Sequence, residues 1–250
     1  LLHTVISLMA GEIKAYRDIM IRTIAHIHND FTAKFGIPRQ SGLTSAESVI
    51  VFEPEYRDIN AFRGLEEYSY IWLLWEFSKL PTGNSADNNS TWSPMVHPPR
   101  LGGNKRMGVF ATRSPVRPSP IGLSSVKLLG IETDKRYGPV LRVQGADLLD
   151  GTPIYDIKPY ITYTDSHPDA VCGFADRVSG YSLEVVFPDE LMELLPVRLR
   201  QAVTELLKQD PRPQYQNDET RRYGMEYGGY DIRFHVREGV LTVCEVVKLE

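Results

Sequence analysis

Residues 69–77 read SYIWLLWEF. Seven of the nine side chains are aromatic or aliphatic, and the run is too short for a core helix of ordinary length. It predicts a central strand covered on both faces. Segments of similar texture lie on either side: IRTIAHI (21–27), SAESVIVF (45–52), RMGVFATR (106–113), GLSSVKLLGIE (122–132), VLRVQGADLL (140–149) and IYDIKPYITY (154–163). Clusters of Gly, Pro, Asn and Asp separate them, as turns require. AFRGLEEY (61–68) offers one short turn of helix at most. Serial strands without intervening helices predict an all-β barrel or sandwich, not βαβ units.

After TDSHPDAV (164–171) the texture changes. YSLEVVF (181–187) reads as a strand. DELMELLPVRLRQAVTELLKQ (189–209) then sets Leu195, Leu199, Val203 and Leu206 at helical spacing, with Pro196 suited to a first turn. DIRFHV and VLTVCEVV form a hairpin about Glu238-Gly239. The expected organisation is an N-terminal extension over 1–19, a mainly-β unit over 20–164, and a small α+β unit over 165–250.

At 250 residues, 42% hydrophobic and 24% charged, the chain can bury a real core. Cys172 and Cys244 fit no disulfide framework or zinc spacing, which favours a reducing, cytoplasmic setting and no metal. No apolar run approaches the roughly 20 residues that span a bilayer. Net charge is −4, yet residues 88–131 contain no Asp or Glu, where the chain's 32 acids would place five or six. The same 44 residues hold Arg100, Lys105, Arg106, Arg113, Arg117 and Lys127. Such a local positive field on an acidic chain suits a polyanionic partner, beside the plainer reading of a solvated loop.

The glycines of LGGNKRMG (101–108) do not make a P-loop, because Gly108 leads into Val-Phe of an expected strand and not into a helix. His26 and His28 would share one strand face without a third metal ligand. Ser114 and Ser119 lack a placed His–Asp pair. DLLDGTPIYDIKPY (147–160) is richer. Asp150-Gly151 makes a turn that leaves Asp147 and Asp150 flanking a strand end, and alternation sets Asp156 and Lys158 on one side. Arg39 in FGIPRQSGL, Arg113 and Arg117 in GVFATRSPVRPSPIGLS, and Arg212 in DPRPQY all sit among prolines. A planar guanidinium held in a stiff turn suits anionic ligands in fixed geometry.

Together, FGIPRQSGL (35–43), FRGLEEYSYIWLLWEF (62–77), HPPRLGGNKRMGVFATRSPVRPSPIGLS (97–124), DLLDGTPIYDIKPY and DPRPQY (210–215) closely resemble the TsaA-like, or TrmO, tRNA methyltransferases. The resemblance implies a β-barrel catalytic domain unlike the Rossmann methyltransferases, a small C-terminal domain and a homodimer. It implies S-adenosylmethionine as cofactor and N6 of N6-threonylcarbamoyladenosine, beside the anticodon of threonine tRNA, as methyl acceptor. Cofactor contacts carried over by position fall on Pro38, Arg39, Gln40, Ser78, Lys79, Arg113, Leu123, Leu148, Leu149, Asp150 and Gly151. Ser78-Lys79 departs from the histidine and polar residue of many relatives. Asp150, Asp156 or Tyr160 would take the proton from the acceptor nitrogen. Lys105, Arg106, Arg117 and Arg212 would meet tRNA phosphates. Two other readings stay open: an RNA-binding barrel without catalysis, and a hydrolase or binding barrel for a small anionic metabolite.

Overall fold

The structure is a computed structural model that describes residues 21–77, 92–98, 101, 105–212 and 218–249. Residues 1–19, Ser78, Lys79 and Arg100, all singled out in the sequence, lie outside the described residues, as do residues 213–215 of DPRPQY.

Six antiparallel strands hydrogen-bond into a closed ring: β1 (Ala25–Asn29), β2 (Glu47–Phe52), β7 (Gly138–Gln144), β6 (Ile121–Asp134), β3 (Tyr70–Glu76) and β8 (Pro153–Pro159), which returns to β1. SYIWLLWEF supplies β3, between β6 and β8, with Ile71, Leu73 and Trp75 inward and buried. Of its outward positions, Trp72, Leu74 and Glu76 are partly covered and Tyr70 is exposed. A continuous apolar run is therefore what a ring strand with clothed outer positions needs.

Trp75 faces Gly122 across the β3–β6 pair. A Cβ on Gly122 would lie 2.2 Å from the indole, so only glycine lets the ring lie flat over the strand. Laid there, the indole Nε1–H donates to Ser124 Oγ at 2.9 Å.

Two expected strands end early. Only Met107–Gly108 (β5) of RMGVFATR is extended, paired with β4 (Met95–Val96). The chain then turns into a 3-10 helix at Val109–Ala111. The Val109 amide donates to Pro94 O and the Thr112 hydroxyl to Val109 O, so local bonds displace the sheet ladder. IYDIKPYITY stops at Pro159, which has no amide to donate, and Thr162–Asp165 (α1) follows. The Asp165 carboxylate accepts from the Ile161 amide at 2.8 Å and from Trp72 Nε1 at 2.9 Å, pinning the exit chain to β3.

The C-terminal part packs a second core between a four-stranded sheet and a helix. The sheet order is β10 (Tyr223–Tyr227), β11 (Tyr230–Arg237), β12 (Val240–Lys248) and β9 (Glu184–Val186), with β9 parallel to β12. The helical segment breaks at Pro196 into α2 (Asp189–Met192) and α3 (Val197–Lys208). Leu199, Val203 and Leu206 face the sheet at the expected spacing. Glu238 and Gly239 both carry positive φ, as the tight β11–β12 turn demands. Strand β10 has no counterpart among the sequence expectations.

The β1–β2 connection ties the two cores together. Phe31 and Ala46 belong to the C-terminal core. Arg198 pairs with Asp30 at 2.6 Å, the Ser45 amide donates to Glu205, and the Gly228 amide donates to Asp30 O.

Candidate active site

Three turns meet at one end of the ring. The first, residues 36–42, carries Pro38, Arg39 and Gln40. Gly42 donates its amide to Gly145 O at 2.8 Å, and a Cβ on Gly145 would lie 3.2 Å from the Gly42 backbone. This close approach joins the first turn to the second, residues 145–152. The second turn docks on β1: the Asp150 amide donates to Phe31 O and the Gly151 amide to Ile27 O. Asn29 Nδ2 donates to Leu148 O. Thr152 N donates to Leu149 O, closing a turn with Gly151 at φ +74, a conformation glycine adopts without strain.

The third turn, residues 109–121, holds both arginines of the proline-rich stretch. Ser114 N donates to Thr112 Oγ1 and Val116 N to Ser114 Oγ, so hydroxyls and prolines fix the backbone. Arg117 Nη1 donates to Thr112 O at 3.3 Å. Exposed Arg113 reaches the first turn, its Nη1 donating to Gln40 Oε1 at 2.5 Å.

Beneath this junction lies a carboxylate that the sequence placed at a strand end without a role. Asp147 is partly buried and accepts from Ser124 Oγ at 2.6 Å, completing a chain from Trp75 through Ser124. Burial pushes its carboxyl above the usual range, outweighing the Ser124 hydrogen bond and the positive charge of Arg113. The available signal was a polar Ser124 at an inward position of β6, following Gly122 two residues earlier.

The expected site residues divide into groups. Gln40, Arg113 and the Asp147–Gly151 turn come together, and Leu123, 55% exposed on β6, neighbours Ser124. Asp150 Oδ1 accepts the Asn29 amide at 3.1 Å and stands 3.3 Å from His28 Nδ1. Leu148 and Leu149 are buried, and their carbonyls accept from Asn29 Nδ2 and the Thr152 amide. Pro38 is buried, and the Arg39 guanidinium points to the C-terminal part, donating to Arg212 O at 3.2 Å.

Asp156 and Lys158 form an ion pair at 2.8 Å on β8, opposite Leu74 and Trp72. Tyr160 packs on Trp72 and Tyr70, four residues beyond Asp156 and so roughly 13 Å along the chain. These proton-acceptor candidates do not form one cluster.

Lys105 and Arg106 are exposed. Arg212, expected to meet phosphate, is instead 9% exposed. Its fork closes on Asp210 through Nε at 2.8 Å and Nη2 at 3.0 Å, and Tyr181 donates to the same carboxylate. That guanidinium is committed to the scaffold.

The donor set at the junction fits a zwitterionic sulfonium nucleoside. Arg113 suits a carboxylate, Asp147 and Asp150 suit a cationic centre or hydroxyls, and Leu123 offers an apolar surface.

The description "tRNA-methyltransferase O N-terminal domain" matches residues 26–166, and "TrmO C-terminal domain" matches residues 181–249. The chain belongs to the TrmO family. The N-terminal match contains all three turns of the junction and the C-terminal match contains the Asp210–Arg212 pair. Within this family, the tRNA (adenine(37)-N6)-methyltransferase of Escherichia coli is 38% identical over 229 residues, 88% of this chain and 94% of that one. A relative from Pseudomonas aeruginosa bearing the name of an S-adenosylmethionine-dependent methyltransferase is 38% identical over 236 residues, covering 90% and 96%. The crystal structure of TrmO from Pseudomonas aeruginosa superposes with a TM-score of 0.71 at 32% identity, covering 94% of this chain and 100% of that one.

Proposed function

We propose that this TrmO-family protein is an S-adenosylmethionine-dependent tRNA methyltransferase. Its acceptor is N6 of N6-threonylcarbamoyladenosine at position 37, beside the anticodon of threonine tRNA. The Gln40–Arg113 hydrogen bond carries this reading, because it joins two arginine-bearing turns over the Asp147–Gly151 turn. We read the ring over 20–164 as a barrel-type catalytic unit and residues 165–250 as a small docking unit, in a cytoplasmic homodimer.

When bound, S-adenosylmethionine supplies an electrophilic methyl group on a sulfonium. Arg113, steadied by Gln40, offers a charge-assisted hydrogen bond to the cofactor carboxylate. Asp150, fixed by the Asn29 amide and His28, meets a hydroxyl or the cationic amine. Asp147 contributes negative potential from below. Pro38, Leu123 and Leu148 act through backbone or apolar contact, and Ser78 and Lys79 complete the assignment carried over from the family. Positioning supplies most of the acceleration in such a displacement, which is why stiff turns suit the task. The acceptor nitrogen sheds a proton to Asp150, Asp156 or Tyr160. Lys105, Arg106 and Arg117 meet tRNA phosphates from the acid-free span. Arg212, held by Asp210, acts through the scaffold.

The test is incubation with labelled S-adenosylmethionine and bulk tRNA, followed by nucleoside analysis. Label in N6-methyl-N6-threonylcarbamoyladenosine is the expected result. Cofactor binding without label in any tRNA would overturn the assignment.

A further inference from the structure

Phe110 is 76% exposed, although the backbone that carries it is tightly held. Its neighbour Val109 is 1% exposed and donates its amide to Pro94 O at 2.9 Å. The Thr112 amide and hydroxyl both donate to Val109 O, at 3.1 and 2.8 Å. A phenyl ring fixed towards solvent on a rigid turn is the posture of a contact residue, since a loose loop would fold such a ring inward. Trp92 lies beside it, the ring centroids 6.3 Å apart and tilted by 33°. Met95, 43% exposed on the β4–β5 hairpin, extends the apolar surface. Lys105 and Arg106 are exposed just before β5, with Arg106 Nε donating to His97 Nε2 at 3.4 Å.

No carboxylate occurs from residue 88 to 131, so these cations have no acidic partner within the segment that presents the rings. Aromatic faces interleaved with cations that carry no ion pair among the described residues are the recognition chemistry of unpaired nucleotides: bases stack while phosphates meet the charges. Arg113 follows Phe110 by three residues, which bounds their Cα separation at about 11 Å.

We propose that Phe110, with Trp92 beside it, is a stacking platform for an unpaired base of the substrate RNA loop, a neighbour of the reacting nucleotide. Lys105 and Arg106 take that neighbour's phosphates. The proposal rests on the RNA-substrate reading above and adds to it a base-contacting surface.

The experiment compares wild type with Phe110→Ala, Phe110→Tyr and Trp92→Phe in equilibrium binding to threonine tRNA. Phe110→Ala should bind about 5- to 150-fold more weakly, the range for one base–aromatic stack, and Phe110→Tyr should recover most of the affinity. The salt dependence of Phe110→Ala binding should match wild type, since no phosphate contact is lost. Lys105→Glu with Arg106→Glu should flatten it. Calorimetry with S-adenosylmethionine should give wild-type affinity for Phe110→Ala, which also shows that it is folded. Tryptophan fluorescence should quench on RNA addition in wild type and much less in Trp92→Phe, which retains Trp72 and Trp75. Wild-type tRNA binding left unchanged by Phe110→Ala overturns the platform alone. Altered sedimentation of Phe110→Ala at unchanged RNA affinity overturns it in favour of self-association. Absence of any tRNA binding by wild type overturns it together with the RNA reading.

Discussion

Ser124 donates its hydroxyl to Asp147 at 2.6 Å while accepting the indole N–H of Trp75 at 2.9 Å. A partly buried carboxylate is thereby held at the start of the turn that carries Leu148 to Gly151, on a post built from the wall of the ring. Burial raises its folded-state carboxyl above the value in the unfolded chain. The folded state therefore binds more protons across that interval, and the stability contribution, full below the unfolded value, is lost as pH rises through the folded one. Asp147→Asn keeps the Ser124 hydrogen bond and removes the partly buried charge. Its melting temperature relative to wild type should climb as pH rises from about 4, the ordinary aspartate range, towards neutrality. Affinity for the cationic cofactor should fall at the same time. A melting difference that stays flat over pH would refute the burial argument.

Arg113 makes the second prediction. Arg113→Ala should lose about 1.5–3 kcal/mol of S-adenosylmethionine binding, the range for a hydrogen bond to a charged group, or roughly 10- to 150-fold in affinity. Gln40→Ala should lose less, since it frees the guanidinium without removing it. Calorimetry on the folded variants decides, and Arg113→Ala at wild-type affinity removes this residue from the site.

How much of this was readable beforehand follows from the range of the forces involved. SYIWLLWEF announced β3 because the burial of a ring strand is written into its own residues. The Glu238-Gly239 turn was equally local. The early end of RMGVFATR was not, because it depends on the Val109 amide finding Pro94 O, fifteen residues upstream in a polar loop. Resemblance placed Arg113 and Gln40 in one site, but their hydrogen bond spans 73 residues and no spacing rule predicts it. Asp147 has no legible role in sequence, since the Ser124 hydroxyl that holds it comes from β6, 23 residues upstream. Arg212 misled for a related reason. A proline-flanked arginine looks the same in sequence whether its fork meets a phosphate or a carboxylate two residues away.

That buried pair gives the third prediction. Burial alone would raise the Asp210 carboxyl, but hydrogen bonds from Arg212 and Tyr181 and the charge of Arg212 together hold it below the usual range. A lowered folded-state value means stability that is present above the unfolded value and lost as pH falls through the folded one. Wild type should therefore lose stability on acidification below about pH 4, and Asp210→Asn should show a shallower loss. Arg212→Ala strands a buried carboxylate and should cost about 3–5 kcal/mol in urea denaturation. Arg212→Ala with unchanged stability but a reduced salt slope of tRNA binding would restore the phosphate role.

The last prediction concerns what the enzyme accepts. An unmodified adenosine N6 is an amine conjugated with the ring, a poor nucleophile that is hard to deprotonate. A threonylcarbamoyl group makes that N–H urea-like and more acidic, and adds a carboxylate that a basic site can grip. Arg117 is the residue we assign to it: half-buried, braced by Thr112 O at 3.3 Å, and four residues from Arg113 in a segment without acids. Braced in this way, its fork loses less entropy on meeting that carboxylate than a free arginine would. Remote binding of this kind orients the reacting nitrogen towards the methyl group, so its loss should depress turnover as well as affinity. Methyl incorporation should therefore be far slower into threonine tRNA from cells lacking the threonylcarbamoyl modification than into the modified tRNA. Arg117→Ala should narrow that difference by slowing the modified substrate more than the unmodified one. Equal rates of wild-type enzyme on the two preparations would rule the requirement out.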